Sequence, residues 1–272
     1  FETIYSMFVY SKPIDGVTVA GEMEKNGTYE ESTTRPYLAQ LMDVTPTSAN
    51  VMEYVGIGRD KALLIDTGCG GGNIHRLASA FTDKPIELAV THDHGDHDAH
   101  AMEFSKVYMH RADIDGMREK QERFRIPENE RLDPAHFTPV EDGSVIPLGD
   151  SVVRVLHIPG HTAGSVVFVD EGRKVVFTGD AIGSGVGVWM QLPGCSSVDE
   201  YRLALKHLLT ELYPYRNYLY LGGHFRQGGT PGTASYNPVT YRMAEDMTTL
   251  CDRMLSGSAE DALYDSDKSF GP

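Results

Sequence analysis

The feature that most constrains the fold is a set of short apolar runs that each end in a glycine-containing turn with a histidine or an aspartate. The run ELAV leads into THDHGDH at residues 91–97, which holds three histidines and two aspartates. The arrangement recurs in IPGHTAGS, VVFTGDA and LYLGGH, which carry His161, Asp180 and His224. Functional groups concentrate in loops that a rigid scaffold positions. These turns together indicate one site built from several strand ends.

The spacing within THDHGDH has a geometric meaning. In an extended segment, residues two apart face the same side, so His92 and His94 can converge on one ion. Gly95 allows a sharp turn, which can direct Asp96 and His97 toward a second ion. Imidazole nitrogens and carboxylate oxygens are a ligand mixture that zinc favours. A solvated, histidine-rich polar loop is the alternative, but it does not account for the position directly after an apolar strand.

Composition limits the class of partner. The 272 residues include 39 acidic and 24 basic ones, a formal net charge of −15, so a polyanion such as a nucleic acid would be repelled. No apolar run reaches the roughly 18 residues that indicate a transmembrane helix, and we expect no membrane partner. These features favour a small-molecule substrate and leave the oligomeric state open. Cys69, Cys195 and Cys251 match no zinc-knuckle or CxxC spacing, and their odd number argues against a disulfide framework.

The order of predicted elements indicates one mixed domain. We interpret residues 1–36 as an N-terminal extension and residues 37–272 as one domain, because no change in composition marks a second one. Several strands are joined by turns too short for a helical crossover, so the class is α/β or α+β with antiparallel strands. Helices are predicted over residues 111–124, 197–213 and 238–255. Ser197 is the expected N-cap of the second helix, and residues 126–136 are expected to form a surface loop.

The sequence leaves the cellular compartment open. Because the first residue is Phe1 rather than Met, we expect the numbering to begin after a removed leader or at a chosen boundary. The protein is expected to be soluble, either in the cytoplasm or exported after removal of a leader.

Five elements in order, LIDTG, HxHxDH, PGHTxGS, TGD and GGH, resemble the motif set of the metallo-β-lactamase superfamily of hydrolases. The resemblance extends over residues 37–224, most of the chain. It implies an α+β fold, the four-layer αββα sandwich, with a dinuclear metal centre at one edge.

The resemblance also implies how the ligands are divided. The residues assigned to the first ion are His92, His94 and His161. The residues assigned to the second ion are Asp96, His97 and His224. Asp180 would bridge the two ions. Asp66, in LIDTG, would be a buried residue that steadies the ligand loop; taken alone, it would pass as a turn-forming aspartate.

The implied chemistry is that of a glyoxalase II-like dinuclear hydrolase. Two divalent ions, zinc first with iron or manganese as alternatives, would lower the pKa of a bridging water so that hydroxide attacks the substrate near neutral pH. Asp96 would be the catalytic proton carrier for the leaving group, as in the family. The substrate would be a small ester, thioester, lactone or amide, a β-lactam included.

Two other functions fit the same ligands. A mononuclear iron dioxygenase of the same fold would bind one iron through two histidines and one aspartate. A metal-binding protein would use the fold without turnover. Metal content separates these alternatives, because two zinc ions per chain support the hydrolase and one iron supports the dioxygenase.

Two loops near the predicted ligands are candidates for the substrate pocket. The segment 181–197 is apolar and glycine-rich and carries the only tryptophan of the chain. We expect Trp189, Met190 and Leu192 to form an apolar wall over the site. The alternative is a loop packed on the core, which is common for a tryptophan.

The second loop, 225–238, directly follows the last predicted ligand. Its Arg226 and Tyr236 are expected to contact a polar or anionic part of the substrate. His100 is a further pocket candidate, because it lies in DAH, where many family members have a small residue and two glycines. The alternative for His100 is a solvent-facing position on the following helix.

Overall fold

The fold is described from a computed structural model, which covers residues 23–27, 54–68, 72–183, 187–224 and 239–258. Most of the predicted N-terminal extension, 1–36, lies outside the described residues, as do Arg226 and Tyr236. Within the described ranges, none of the helices combines the length and the apolar character needed to cross a membrane.

The first sheet collects the strands of the N-terminal part of the domain. Its strands, in spatial order, are β1 (Val55–Ile57), β2 (Ala62–Ile65), β3 (Ile86–Ala89), β4 (Val107–His110) and β5 (Phe137–Val140). β1 pairs with β2 in antiparallel fashion, and the other pairs are parallel. Because β2 and β3 run in the same direction, the segments after them leave the sheet at the same edge.

The second sheet is mostly antiparallel, as the short turns predict. Its strands are β6 (Val145–Pro147), β7 (Val152–His157), β8 (Val166–Asp170), β9 (Val175–Gly179) and β10 (Leu219–Gly222). The spatial order is β10-β9-β8-β7-β6, with β10 parallel to β9 and the remaining pairs antiparallel. The strands β7, β9 and β10 therefore all end at one edge of this sheet.

Helices cover the outer face of each sheet. The first sheet packs against α1 (Ile74–Ala78) and α3 (Arg111–Arg123), whereas α2 (Gly95–Asp98) is a single turn that follows β3. The second sheet packs against α4 (Val198–Leu212) and α5 (Tyr241–Leu255). The predicted start of α4 is confirmed, because Ser197 and Glu200 form a capping box there.

The strands are apolar on both faces, because each sheet lies between helices and the other sheet. On β2, Leu63 and Ile65 face the core between the sheets, whereas Leu64 faces the helices of the first layer. On β8, Phe168 lies between the sheets and Val169 lies under the helices of the last layer. The αββα sandwich implied by the resemblance is confirmed.

The packing of α4 gives a test of this arrangement. Leu205 is fully buried against the second sheet, whereas Leu203 on the same helix is 54% exposed. We expect Leu205→Ala to lower the free energy of unfolding by about 2–5 kcal/mol, because it removes buried methyl groups and leaves a cavity. Leu203→Ala, the control, should change it by less than about 0.5 kcal/mol. Urea unfolding measures both values, and equal losses would contradict the assigned packing.

Candidate metal centre

The ligand loop, residues 91–97, leaves β3 as an extended segment and then enters a single helical turn. His94 is the N-cap residue of α2 and has extended backbone angles, with φ −131° and ψ 143°. His92 and His94 project to the same side, and Nε2 of His92 lies 3.1 Å from Nδ1 of His94. The structure thus brings these two imidazoles together as their spacing predicts.

The bend after His94 has a different origin from the expected one. Gly95 is the first residue of α2, it has no positive φ, and a Cβ placed on it would meet open space. The start of the helical turn redirects the chain, so a glycine is not required for the bend. Asp96 and His97 lie within this turn.

Three other strand ends reach the ligand loop. His161 lies in the turn after β7, Asp180 directly follows β9, and His224 follows β10. These strands end at the same edge of the second sheet. The predicted ligands therefore come from both sheets and meet at the edge where these strands end.

The first donor group consists of His92, His94 and His161. Nε2 of His161 lies 2.9 Å from Nδ1 of His94. The three donor atoms all lie within 4.8 Å of one another, and the group includes two buried histidines and one that is half-buried. Three nitrogen donors at this separation can hold a metal ion.

The second donor group consists of Asp96, His97 and His224. Oδ2 of Asp96 lies 3.7 Å from Nε2 of His97 and 3.6 Å from Nε2 of His224. Asp180 contacts both groups, because its Oδ2 is 3.0 Å from Nε2 of His224 and 3.7 Å from Nε2 of His161. The position of Asp180 fits a bridging ligand.

Within the described residues, two polar atoms at the junction of the groups have no hydrogen-bond partner. Nε2 of His97 and Oδ1 of Asp180 are buried and unsatisfied, and they lie 3.7 Å apart. A buried polar atom without a partner is costly, and a cation between the two would satisfy both. The mixture of nitrogen and oxygen donors suits zinc. The described residues therefore fit divalent ions.

The sequence profile of the metallo-beta-lactamase superfamily matches residues 43–224, more than half of the chain. The chain belongs to this superfamily. The resemblance that its motifs indicate is thereby confirmed. A second profile, for the DnaB-like helicase N terminal domain, matches residues 1–60, which covers too little of the chain to show membership.

Relatives in the superfamily include enzymes that are named for thioester substrates. An uncharacterized protein of Aquifex aeolicus is 27% identical over 214 residues, which cover 74% of this chain and 96% of that protein. The acyl-coenzyme A thioesterase MBLAC2 of Homo sapiens is 28% identical over 163 residues, 47% of this chain and 57% of that protein. The hydroxyacylglutathione hydrolase GloC of Haemophilus influenzae is 27% identical over 182 residues, 60% of this chain and 79% of that protein. The match thus spans little more than half the length of MBLAC2.

Solved structures support the superfamily fold. An archaeal metallo-beta-lactamase superfamily protein from Sulfolobus tokodaii has a TM-score of 0.51 at 18% identity, covering 80% of this chain and 84% of that chain. A metallo-beta-lactamase family protein from Thermus thermophilus has a TM-score of 0.52 at 22% identity, covering 75% of each chain. At these identities the likeness concerns the fold alone.

Two buried imidazoles of the donor groups are oriented by hydrogen bonds at Nδ1. Nδ1 of His97 lies 2.8 Å from Oδ2 of Asp66, and Nδ1 of His161 lies 2.8 Å from the carbonyl oxygen of Trp189. Each Nδ1–H donates, so each Nε2 faces the donor groups. Asp66 has a left-handed backbone, with φ 57°, and its carboxylate also accepts the backbone N–H and the hydroxyl of Thr91. Asp66 thus ties the ligand loop to the end of β2.

The charges around the centre divide the imidazoles into two kinds. Burial and the neighbouring imidazoles hold the pKa of His92 well below its usual value. Burial and neighbouring imidazoles likewise lower the pKa of His94 to about 3. Burial alone would also lower the pKa of His97, but the carboxylates of Asp66 and Asp180 raise it to about 10. His92 and His94 are therefore neutral, as metal ligands must be, whereas His97 holds a proton until a cation replaces it.

Asp113, on α3, is a residue of the site that the motifs do not indicate. Its Oδ2 accepts the backbone N–H of Asp93 at 2.9 Å and the hydroxyl of Thr162 at 2.8 Å. Its Oδ1 accepts the N–H of Gly164 at 2.7 Å. A Cβ on Gly164 would lie 2.5 Å from the Asp113 carboxyl carbon, so only glycine permits this approach. Asp113 joins the two loops that carry the first donor group.

A cavity of about 1040 Å³ opens beside the donor groups. The predicted ligands in its lining are His94, Asp96, His161, Asp180 and His224. Trp189 and Leu192 also line it. Met190 instead packs against the core under α4. His100 lies outside the lining and pairs its Nδ1 with Oε1 of Glu103 at 2.9 Å.

The three hydrogen bonds to Asp113 give a test of its role. Asn would place an amide N–H₂ against one of the three donors, so we expect Asp113→Asn to lower the free energy of unfolding by about 1–3 kcal/mol. Asp115 is exposed on the same helix, and Asp115→Asn should change this value by less than about 0.5 kcal/mol. Urea unfolding measures the stabilities, and titration with Zn²⁺ should show weaker binding for Asp113→Asn only. Equal stability and equal binding in the two variants would refute the role.

Proposed function

We propose that the chain is a dinuclear metal hydrolase that cleaves small thioesters. The observation that carries the proposal is that two donor groups meet at Asp180, beside a cavity of about 1040 Å³. That volume lies at the upper end of the range for small-molecule sites. The thioester class is supported by the similarity to MBLAC2 and GloC, whose names describe thioester hydrolysis.

Each donor group would hold one of two ions. The residues that would hold one ion are His92, His94 and His161. The residues that would hold the other are Asp96, His97 and His224, and Asp180 would contact both. Two divalent ions, with zinc best suited to these donors, would lower the pKa of a water and polarise the carbonyl oxygen of the substrate.

Asp96 is the carboxylate best placed to move a proton. Its side chain is 37% exposed and lines the cavity, whereas the side chain of Asp180 is only 6% exposed. A general acid–base group must reach the reacting atoms and exchange protons with them. Asp96 would take the proton of the attacking water and deliver it to the departing thiolate.

Two potential protein nucleophiles near the centre are engaged elsewhere. Oγ of Ser165 is buried and shares a hydrogen bond of 2.9 Å with the hydroxyl of Thr162. Sγ of Cys195 donates to the carbonyl oxygen of His161 at 3.1 Å. These contacts hold the loop that carries His161, which is a structural role.

Removal of the ions should abolish thioester hydrolysis. We expect chelator-treated protein to lose turnover of S-lactoylglutathione and of acetyl-N-acetylcysteamine, and to regain it when Zn²⁺ is added. Elemental analysis should find two ions per chain in the untreated protein. Asp180→Ala should reduce this content, whereas Asp199→Ala, an exposed position on α4, should not.

Three results would contradict the proposal. The first is full turnover by metal-free protein. The second is a single iron per chain, which would support the dioxygenase. The third is two bound ions without hydrolysis of any thioester, which would support a metal-binding protein.

Asp96→Asn tests the proton carrier separately. We expect kcat to fall by about 100-fold, in line with the usual contribution of general acid–base catalysis. The first donor group does not include Asp96, so at least one ion per chain should remain bound, as measured by elemental analysis. Asp115→Asn serves as the control. An unchanged kcat in Asp96→Asn would remove this residue from the mechanism.

A further inference from the structure

One apolar wall of the cavity includes two residues of the segment 126–136, which the sequence marks only as a surface loop. This wall, called the α3 wall, consists of Met102, Phe124, Ile126 and Leu132. Phe124 is the C-cap residue of α3, and the residues after it form a short 3₁₀ turn, Glu128–Glu130. The α3 wall and the predicted ligands line one continuous cavity.

The α3 wall exposes large apolar side chains at the cavity. Met102 is 52% exposed and Phe124 is 51% exposed, and Trp189, which lines the same cavity, is 47% exposed. Large apolar side chains gathered at one concave surface, rather than scattered singly, mark a binding site. The side chains come from three separate parts of the chain, so their meeting at one cavity is a property of the fold.

The α3 wall is held in place by hydrogen bonds within the protein. Nε2 of Gln121 donates to the carbonyl oxygen of Leu132 at 3.0 Å, and Nε of Arg131 donates to the carbonyl oxygen of Ile126 at 3.0 Å. The backbone N–H of Ile126 donates to the carbonyl oxygen of Gln121 at 2.9 Å. The apolar surface is therefore formed before a ligand arrives.

The charges beside the α3 wall do not favour an anionic ligand there. Lys120 lies in the lining, but its Nζ is paired with Oδ1 of Asp93 at 2.8 Å and also donates to the backbone carbonyl of Asp93. Arg131 and Glu130 carry opposite charges and lie next to each other in the lining. An apolar, uncharged part of a substrate would thus suit this wall.

We propose that the α3 wall and Trp189 form a subsite for an apolar acyl chain of the thioester. The inference rests on the proposed thioester hydrolysis. The scissile carbonyl would lie at the donor groups, and the acyl chain would extend from it along the apolar wall. Each methylene that leaves water contributes to binding, so activity should rise with chain length, by roughly two- to fourfold per methylene while the wall is being covered.

The first experiment measures kcat/KM of the metal-loaded protein on N-acetylcysteamine thioesters of acetate, butanoate, hexanoate and octanoate. We expect kcat/KM to rise along the series. Phe124→Ser and Met102→Ser should make this rise smaller. We expect kcat/KM to fall by more than tenfold for the octanoyl ester and to change by less than twofold for the acetyl ester. Leu203→Ser, an exposed leucine on α4 and outside the cavity lining, should behave like the unaltered protein.

The second experiment needs no turnover. Trp189 is the only tryptophan of the chain and lines the cavity, so its fluorescence reports binding there. Titration with butanoate, hexanoate and octanoate should give dissociation constants that fall with chain length, and Phe124→Ser should remove this dependence. All three ligands carry the same carboxylate, so a difference between their dissociation constants comes from the alkyl part.

The two experiments separate this inference from the proposed function. If no thioester is hydrolysed but alkanoate binding still depends on chain length and on Phe124, the subsite stands and the proposed function fails. If acetyl and octanoyl esters are hydrolysed with equal kcat/KM and alkanoates bind without dependence on length, the subsite is overturned while the hydrolase stands. A Phe124→Ser protein that retains the full chain-length dependence would also overturn it.

Discussion

The ligand loop is polar and yet buried, and much of the structure follows from that constraint. Thr91, His92 and His97 are each 1% exposed. Buried polar groups need partners within the protein. Two carboxylates outside the loop provide them: Asp66 accepts from Thr91 and pairs with His97, and Asp113 accepts the N–H of Asp93. The fold must therefore place one acid at the end of β2 and another on α3, directly against the end of β3.

This requirement explains why both sheets are needed. The parallel pairing of β2 with β3 puts Asp66 beside the ligand loop, and the parallel pairing of β9 with β10 puts Asp180 beside His224. The first donor group combines His92 from one sheet with His161 from the other. Neither sheet alone carries a complete set of donors, so an ion bound here would join the two halves of the sandwich.

Much of the fold and the meeting of the donor side chains could be predicted because the signals are local. Apolar runs that end in glycine turns mark the strands and the ligands after them, and Ser197 with the following amphipathic pattern marks α4. Asp113 could not be predicted, because an aspartate in a charged helix is typical of a solvated surface, and its partners are distant in sequence. Ile126 and Leu132 of the α3 wall are another such case, since residues 126–136 have the composition of a loop. Their role depends on which cavity the loop borders, and no local pattern encodes that.

Trp189 connects the cavity to the first donor group. Its ring lines the cavity, while its backbone carbonyl accepts the Nδ1–H of His161 and so sets which nitrogen of that imidazole faces the donor groups. If the backbone at Trp189 moved to accommodate a bulkier substrate, this hydrogen bond would move with it and would tilt the imidazole of His161. Under the proposed function, substrate shape and metal affinity would be coupled at this residue, and changes around Trp189 that broaden specificity would also alter the centre.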